Sequence, residues 1–217
     1  MRKEICICEF IEACRLSIES KTRIIILMHY REIYRTTNTA RLAQLTLKDC
    51  DIRLRGLRDE PLVTEGIVDP DRQTLLLYPT ADAQELTPEF VASIDKPVTL
   101  VVPDGTWGQA AKVAKREAFL RTVPRVKLST DRATQYGLRR SPRQNGLATF
   151  EAIARALGVL ESPVIQERLE GLFQVMVNRT LQSRGLRPLS ALGNQDCPGR
   201  PPPDSVVSSA GELRQKA

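Results

Sequence analysis

The chain has 217 residues, 41% of them hydrophobic, and a formal net charge of +6 at pH 7. A chain of this length can bury one sizeable core, so a single main domain is expected. No stretch has the apolar length of a membrane span and no signal-peptide core follows Met1, so neither a membrane protein nor a secreted protein is expected. Five cysteines without a disulfide-like spacing favour reduced thiols and a cytoplasmic location.

The first part of the chain predicts one buried strand, one short helix and one edge strand. Residues 1–20 form a cysteine-bearing lead, and the apolar run at 23–28 is typical of a buried strand. Either Asn38 or Thr39 is the expected N-cap of the helix. The charged segment that follows alternates apolar and polar residues at 51–55, which indicates an edge strand.

The middle of the chain predicts two more buried strands. They cover the apolar runs at 73–77 and 100–102, and they are followed by a helix over 108–121 and a short strand at 125–128. Continuous apolar runs suit strands that are covered on both faces. The expected fold class is therefore α/β, with a mostly parallel sheet flanked by helices.

The last third of the chain predicts a loop at 141–146 and two helices. The first helix begins at Thr149 and the second at Pro163, because their apolar residues recur with helical spacing. Gly185 suits the end of the second helix. Residues 186–217 are rich in Pro, Ser and Gly and cannot bury enough apolar surface to offset their chain entropy, so they are expected to form a disordered tail.

Reactive side chains follow each of the three apolar strands. His29 and Glu32 follow the first strand, Tyr78 the second, and Asp104 and Trp107 the third. Open α/β sheets bind ligands at the carboxyl ends of their strands, so these side chains are expected to share one edge of the sheet. The alternative for the third group is a capped turn with a tryptophan in the core.

Basic residues are concentrated in one segment. Between Lys112 and Arg143 there are ten basic and two acidic residues, a local charge of +8 that exceeds the charge of the whole chain. Such a patch is the electrostatic footprint of a phosphate-backbone partner, whereas the alternative is a solvated face that keeps the protein soluble. Lys112, Lys115 and Arg116 share one face of the predicted helix.

Six short motifs together resemble the DTW-domain family, the tRNA-uridine aminocarboxypropyltransferases. They are Asp-x-Thr-Trp at 104–107, His-x-x-Glu at 29–32, Asn-Thr-x-Arg at 38–41, Tyr-Pro at 78–79, Tyr-x-Leu-Arg at 136–139 and Thr-x-Glu-Ala at 149–152. The resemblance implies a catalytic domain over residues 21–185 and a sheet related to that of knotted, SPOUT-like RNA-modifying enzymes. No G-x-G-x-x-G follows a strand, so a Rossmann mode of binding S-adenosylmethionine is not expected.

The resemblance also implies an activity and a set of functional residues. The activity is transfer of the 3-amino-3-carboxypropyl group from S-adenosylmethionine to N3 of a uridine in tRNA, with release of 5′-methylthioadenosine. The candidate catalytic residues are Asp104, Thr106, Trp107 and Glu32. The candidate S-adenosylmethionine-binding residues are His29, Asn38, Thr39, Tyr78, Pro79, Thr149 and Glu151. The candidate tRNA-binding residues are Lys112, Lys115, Arg116, Arg139, Arg140 and Arg143.

The chemistry of that reaction favours a carboxylate as general base. The N3 imide of uridine must lose its proton before it attacks, so a carboxylate with a raised pKa in a partly dry site is suited to accept it. Asp104 is the first candidate, Glu32 the second and Glu151 the third. The indole N–H of Trp107 and the hydroxyl of Thr106 can donate hydrogen bonds to the carboxylate of the transferred group.

Two of these assignments have structural alternatives. His29 is the only histidine of the chain, and a histidine at the end of a strand can be a hydrogen-bonded structural residue. Thr149 and Glu151 begin a helix whose first N–H groups can meet the carboxylate of the substrate, or they form a plain capping arrangement.

The cysteine-bearing lead departs from the family. Many members carry Cys-x-x-Cys and, several residues later, Cys-x-Cys, a spacing that can close a four-thiolate zinc site. Here only Cys6 and Cys8 of that pattern are present, with Cys14 as the one nearby thiol. These three are weak zinc candidates, and no metal is expected.

Two other functions stay open at this point. A knotted-fold RNA methyltransferase would use the same substrate but would leave S-adenosylhomocysteine. The missing first cysteine pair would suit a catalytically inactive tRNA-binding protein, for which a structural partner of ribosomal assembly, needing only the basic patch, is a further variant. No exposed apolar stripe in the sequence indicates an oligomer interface.

Overall fold

The structure is a computed structural model that describes residues 5–129, 134–136, 138 and 146–186. Its strands are β1 (Arg23–His29), β2 (Cys50–Arg55), β3 (Gln73–Leu77), β4 (Gln84–Glu85), β5 (Val98–Asp104) and β6 (Arg125–Lys127). Its helices are α1 (Cys8–Ser17), α2 (Ala40–Thr46), α3 (Pro88–Ala92), α4 (Trp107–Arg116), α5 (Thr149–Leu160) and α6 (Pro163–Ser183). Two short 3-10 turns cover Tyr30–Glu32 and Ala118–Leu120.

The six strands form one sheet in the order β2-β1-β5-β3-β6-β4. Every adjacent pair of these strands is parallel. The predicted α/β class with a mostly parallel sheet is therefore confirmed. The predicted relation to knotted RNA-modifying enzymes stays a prediction.

The side chains of β1 show why the central strands are apolar throughout. Ile24 and Ile26 lie in a larger core that includes residues of α5 and α6, whereas Ile25 and Leu27 lie in a smaller core that includes residues of α4. All four are fully buried. Because successive side chains of a strand point to opposite faces, a strand covered on both faces needs an unbroken apolar run.

The two edge strands of the sheet, β2 and β4, are short or partly exposed. The predicted edge strand at 51–55 is confirmed as part of β2, which pairs only with β1. The other edge strand, β4, has two residues and was not predicted. Helix α3 was also not predicted, although Thr87 followed by Pro88 is a typical helix start; Thr87 Oγ1 accepts a hydrogen bond from the Phe90 N–H at 3.2 Å.

The helix predicted over 108–121 is shorter than expected. It begins one residue earlier, at Trp107, and ends at Arg116 because Glu117 adopts an extended conformation. The Glu117 carboxylate accepts hydrogen bonds from the Arg55 guanidinium at 2.9 and 3.2 Å, which ties this end of α4 to the end of β2. A contact across 62 residues of sequence therefore accompanies the end of this helix.

The cysteine-bearing lead is packed on the rest of the chain. Helix α1 lies within it and contacts α2 and α6. Cys14 and Ile18 are buried, at 8% and 3% exposure, and both belong to the larger core. No helix or strand was predicted for this segment.

Hydrogen bonds at two helix ends match the expected capping residues. Of the two candidates for α2, Asn38 supplies the cap, because its Oδ1 accepts the Ala40 N–H at 3.0 Å. At the end of α6, Gly185 has a φ of +70° and the Leu186 N–H reaches back to the Leu181 carbonyl at 2.9 Å. This hydrogen bond and the left-handed glycine form a Schellman motif.

Among the described residues, no helix is both long enough and apolar enough to span a membrane. The predicted loop at 141–146 lies outside the described residues except for Gly146, and the predicted tail lies outside them except for Leu186.

Candidate functional site

The carboxyl ends of β1, β5 and β3 lie side by side, as the sequence predicts. In the register of β1 with β5, Met28 pairs with Asp104, so His29 and Asp104 end neighbouring strands. This edge of the sheet carries two separate clefts. The first, called here the apolar cleft, is bounded mainly by Tyr78, Pro79, Trp107, Leu128, Leu147 and Thr149. The second, called here the basic cleft, is bounded mainly by His29, Arg31, Arg55, Gln109, Lys112 and Arg116.

Two aromatic side chains form one wall of the apolar cleft. Tyr78 follows β3 and is 7% exposed, and its ring centroid lies 6.4 Å from that of Trp107. Trp107 is the first residue of α4, and Thr106 caps this helix. The Thr106 hydroxyl accepts the Gln109 N–H at 3.3 Å, and Gln109 Oε1 accepts the Thr106 N–H at 2.7 Å. This capping box holds Trp107 at the carboxyl edge of the sheet.

Asp104 is held by side chains from two distant motifs. It is 6% exposed, and its Oδ2 accepts a hydrogen bond from Asn38 Nδ2 at 2.7 Å. Its Oδ1 accepts one from the Thr149 hydroxyl at 2.5 Å. Thr149 also lines the apolar cleft, so the Asp104 carboxylate adjoins that cleft through Thr149. Both oxygens of the carboxylate are thereby fixed in position.

Further hydrogen bonds join the segment before α2 to α5. Thr39 Oγ1 accepts the Phe150 N–H at 3.2 Å. The Tyr136 hydroxyl donates to the Thr37 carbonyl at 2.6 Å. Asn38 and Thr39 therefore lie behind Asp104, where they connect it to α5, and they do not line the apolar cleft.

Glu151 lies in a buried network on the same helix. Its side chain is 2% exposed and accepts hydrogen bonds from the Thr134 hydroxyl at 2.6 Å, the Gln135 N–H at 2.8 Å and the Arg155 guanidinium at 3.1 Å. The network attaches residues 134–136 to α5. Arg155 also lines the apolar cleft and was missed by the sequence analysis. The i,i+4 spacing of Glu151 and Arg155 on a buried helix face was a signal that could have found it.

Glu32, the second candidate base, is buried in an ion pair. It is 1% exposed and forms an ion pair with Arg35, with Arg35 Nε and Glu32 Oε1 3.2 Å apart. It lines neither cleft. The His-x-x-Glu motif is thus divided, since His29 faces the basic cleft and Glu32 is buried.

The His29 ring is held at the end of β1 by the backbone of Arg31 and by the ring of Tyr30. Its Nδ1 accepts the Arg31 N–H at 3.2 Å, and its ring stacks on Tyr30 with centroids 4.8 Å apart. Burial and the nearby charges of Arg55 and Arg31 lower the pKa of His29. Both effects disfavour the imidazolium, so the ring is neutral at neutral pH.

The basic residues predicted to bind RNA are divided by the structure. Lys112 and Arg116 line the basic cleft, whereas Lys115 is exposed on α4 and lines neither cleft. Arg139, Arg140 and Arg143 lie outside the described residues. Arg31, Arg55 and Gln109, which also line the basic cleft, were missed. Arg31 and Arg55 come beside α4 only through the pairing of β1 with β2.

The thiols of the lead do not form a zinc site of the expected kind. The Cys6 and Cys8 sulfurs are 3.2 Å apart, but the Cys14 thiol lies in the core and donates to the Arg168 carbonyl at 3.6 Å. In the described part of the chain, no three His, Cys, Asp or Glu side chains are grouped so that they could hold a metal ion. Two adjacent thiols do not fit a four-thiolate zinc site.

Comparison with known proteins gives matches over most of the chain. A family model described as the DTW domain matches residues 1–181. "tRNA-uridine aminocarboxypropyltransferase 2" of Mus musculus is 31% identical over 193 residues, which are 88% of this chain and 59% of that protein. The protein of the same name from Drosophila melanogaster is 35% identical over 155 residues, or 68% of this chain and 60% of that protein. The chain therefore spans about three fifths of the length of these two relatives.

Two more distant similarities cover a larger share of the matching proteins. "tRNA-uridine aminocarboxypropyltransferase A" of Arabidopsis thaliana is 28% identical over 213 residues, which are 85% of this chain and 79% of that protein. Among solved structures, the SAM-dependent rRNA:acp-transferase Tsr3 from Vulcanisaeta distributa superimposes with a TM-score of 0.48 and 18% identity, over 75% of this chain and 79% of that chain.

Proposed function

This chain belongs to the DTW domain family, and on that premise we propose that it transfers the 3-amino-3-carboxypropyl group of S-adenosylmethionine to N3 of a uridine in tRNA. The relatives named as tRNA-uridine aminocarboxypropyltransferases support this proposal. The observation that carries it is Asp104, the acid of the family motif, which is fixed by Asn38 and Thr149 beside the apolar cleft.

The apolar cleft suits S-adenosylmethionine, which is the donor substrate. The faces of Tyr78, Pro79 and Trp107 provide an apolar surface for a purine ring. Lys127 lines the same cleft and supplies positive charge for the carboxylate of the transferred group, whereas the charge of Arg155, which also lines it, is paired with Glu151. Tyr78, Pro79 and Thr149 keep the donor-binding role predicted for them, while Asn38, Thr39 and Glu151 act by holding Asp104 and α5 in place.

The proposed reaction is a single displacement. Uridine N3 gives its proton to a base, and the electron pair left on N3 forms a bond to the terminal carbon of the aminocarboxypropyl chain. The bond from that carbon to the sulfonium breaks, and its electrons stay on sulfur to give neutral 5′-methylthioadenosine. The protein must hold this carbon, and not the methyl carbon, in line with N3.

Asp104 is the proposed general base. Asn38 and Thr149 hold its carboxylate in one position beside the apolar cleft, so the base needs no reorientation when uridine gives up its proton. Glu32 and Glu151 are less suited, because both are buried in ion pairs with arginine side chains. We assign these two acids positioning roles.

Product analysis tests the proposal. The purified chain is incubated with S-adenosylmethionine and unmodified tRNA transcripts, and the digested RNA and the small molecules are identified by mass spectrometry. Aminocarboxypropyluridine together with 5′-methylthioadenosine is the expected result. S-adenosylhomocysteine with methylated RNA would instead indicate a methyltransferase, and bound tRNA with neither product would indicate a binding protein.

Replacement of the proposed base tests the role of Asp104 itself. Asp104→Asn keeps the shape but removes the base, so kcat is expected to fall by about 10²-fold to 10⁴-fold while the affinity for tRNA is retained. The matched control is Asp95→Asn, since Asp95 is exposed at the amino end of β5, on the opposite edge of the sheet. Unchanged turnover in Asp104→Asn would refute the assignment.

A further inference from the structure

The basic cleft contains more positive charge than its neighbours neutralise. Arg31, Arg55, Lys112 and Arg116 line it together. The Arg55 guanidinium is paired with Glu117 at 2.9 Å. Among the described residues, no carboxylate forms an ion pair with the other three. A cleft with this balance attracts an anion.

The neutral ring of His29 adds a hydrogen-bond donor to these charges. Its Nδ1 already accepts the Arg31 N–H, so in the neutral ring the proton is assigned to Nε2. Nε2 is the nitrogen beside Gly56: a Cβ built on Gly56 would lie only 3.1 Å from it. The absence of a side chain at Gly56, which has a φ of +83°, therefore leaves this donor uncovered.

The basic cleft and the apolar cleft adjoin each other across the turn at Gly105. Gly105 lines the apolar cleft, as does Trp107. A Cβ built on Gly105 would lie 2.8 Å from Gln109 Oε1 and 3.4 Å from His29 Cβ, and both of those residues line the basic cleft. One turn of backbone thus separates the two clefts, so a ligand group in the basic cleft lies next to the reacting groups.

We propose that the basic cleft binds the phosphodiester that adjoins the acceptor uridine and so places that uridine at the mouth of the apolar cleft. The inference rests on the proposed function and adds to it the place where the RNA backbone is held. Arginine and lysine around an N–H donor are the usual partners of a phosphate oxygen. Lys115, on the same helix but outside the cleft, takes no part in this contact.

The salt dependence of RNA binding gives the first test. Each lysine or arginine contact with a phosphate contributes about 1 to the slope of log Kd against log salt concentration. The double variant Lys112→Gln/Arg116→Gln is expected to bind tRNA transcripts more weakly and with a slope smaller by about 1, because the cleft holds a single phosphate. The control Arg15→Gln/Lys48→Gln removes the same charge from exposed residues of α1 and of the segment just before β2, which line neither cleft, and its slope is expected to match that of the unmodified chain.

A neutral backbone linkage gives the second test and locates the phosphate. A tRNA-derived stem-loop is prepared with one methylphosphonate on either side of the uridine that the enzyme modifies, and with one remote methylphosphonate as a control. The adjoining neutral linkage should weaken binding to the unmodified chain but have a much smaller effect on the double variant, because both changes act on the same contact. Independent, additive effects of the two changes would overturn the proposal.

Failure of this inference can be distinguished from failure of the proposed function. If the inference is wrong and the function right, the double variant still forms aminocarboxypropyluridine with an unchanged KM for tRNA. If the function is wrong, no variant forms that product. The salt slopes of the double variant and its control still report the phosphate contact in that case, and equal slopes would overturn it.

Discussion

The apolar cleft and the basic cleft lie on two sides of one turn, yet they are built in different ways. Beside the apolar cleft, Asp104 is buried and its two oxygens are held by side chains 66 and 45 residues away in sequence. In the basic cleft, Lys112 and Arg116 are exposed and project from successive turns of one helix. A reacting group must be held in one orientation, whereas a phosphate can be attracted by charges that stay mobile and hydrated.

Because the two clefts are built from different residues on one shared core, some changes should affect both clefts and others only one. A change in the shared core should weaken both clefts together. A change at Thr149 or Trp107 should impair only the apolar cleft, and a change at His29 only the basic one.

The largest effect is expected from Phe150→Ala. Phe150 is fully buried, and its ring lies 5.8 Å from that of Phe173 in the larger core. Removing this ring is expected to lower the free energy of unfolding by about 3 to 5 kcal/mol, measured by urea denaturation. Donor binding and RNA binding should then fall in parallel with the folded fraction. A stability change near zero would contradict the packing described here.

The next largest effect is expected from Thr149→Val. This change removes the hydroxyl that donates to Asp104 Oδ1 and keeps the branched shape. Because Asp104 then loses this hydrogen bond, kcat is expected to fall by about 10²-fold, with RNA affinity unchanged. Thr149→Ser, which restores the hydroxyl, should recover most of the activity. Unchanged turnover in Thr149→Val would contradict the role assigned to this hydrogen bond.

A smaller effect is expected from Trp107→Ala. Loss of an aromatic face that contacts a base typically costs about 1 to 3 kcal/mol, so calorimetry should find a Kd for S-adenosylmethionine that is weaker by roughly one to two powers of ten. Trp107→Phe should retain most of the affinity. The salt slope of RNA binding should be the same in both variants, since Trp107 does not line the basic cleft. A changed slope would show that the two clefts are not separate.

The smallest effect is expected in the pH dependence of stability that arises from His29. Because its pKa is lowered in the folded chain, the unfolded chain takes up a proton first as the pH falls through about 6.5. The free energy of unfolding therefore decreases below that pH and is unaffected by this group above it. His29→Gln removes this contribution, so its Tm should fall less than that of the unmodified chain between about pH 7.5 and pH 5.5. Parallel Tm curves would contradict the lowered pKa.

The sequence alone was sufficient to predict the strands and helices that have a clear local pattern of apolar residues. The unbroken apolar runs that became β1, β3 and β5 can be recognised because a strand covered on both faces has no polar side to interrupt the run. Helices α5 and α6 were predicted from their apolar spacing and from Pro163. The family was predicted from the order of six motifs, and the match over residues 1–181 confirms it.

Short elements that lack a strong pattern were missed. Helix α1 has only one fully buried position, Cys14, and β4 has two exposed residues. Such elements form because the rest of the fold offers them a surface, and their own sequences carry little signal. The early end of α4 was missed for a similar reason, since it coincides with a contact between Glu117 and the distant Arg55 that local sequence does not indicate.

The apolar runs and the residues after them are enough to place the reactive side chains at the carboxyl edge of a parallel sheet, because each strand carries the residue that follows it to that edge. Which of these side chains contact one another depends on how distant segments pack. Asn38 and Thr149 hold Asp104, while His29, from the neighbouring strand end, faces the basic cleft instead. The direction of a side chain at a strand end depends on register, on the path of the following turn and on the partners supplied by distant helices, none of which is encoded in local spacing.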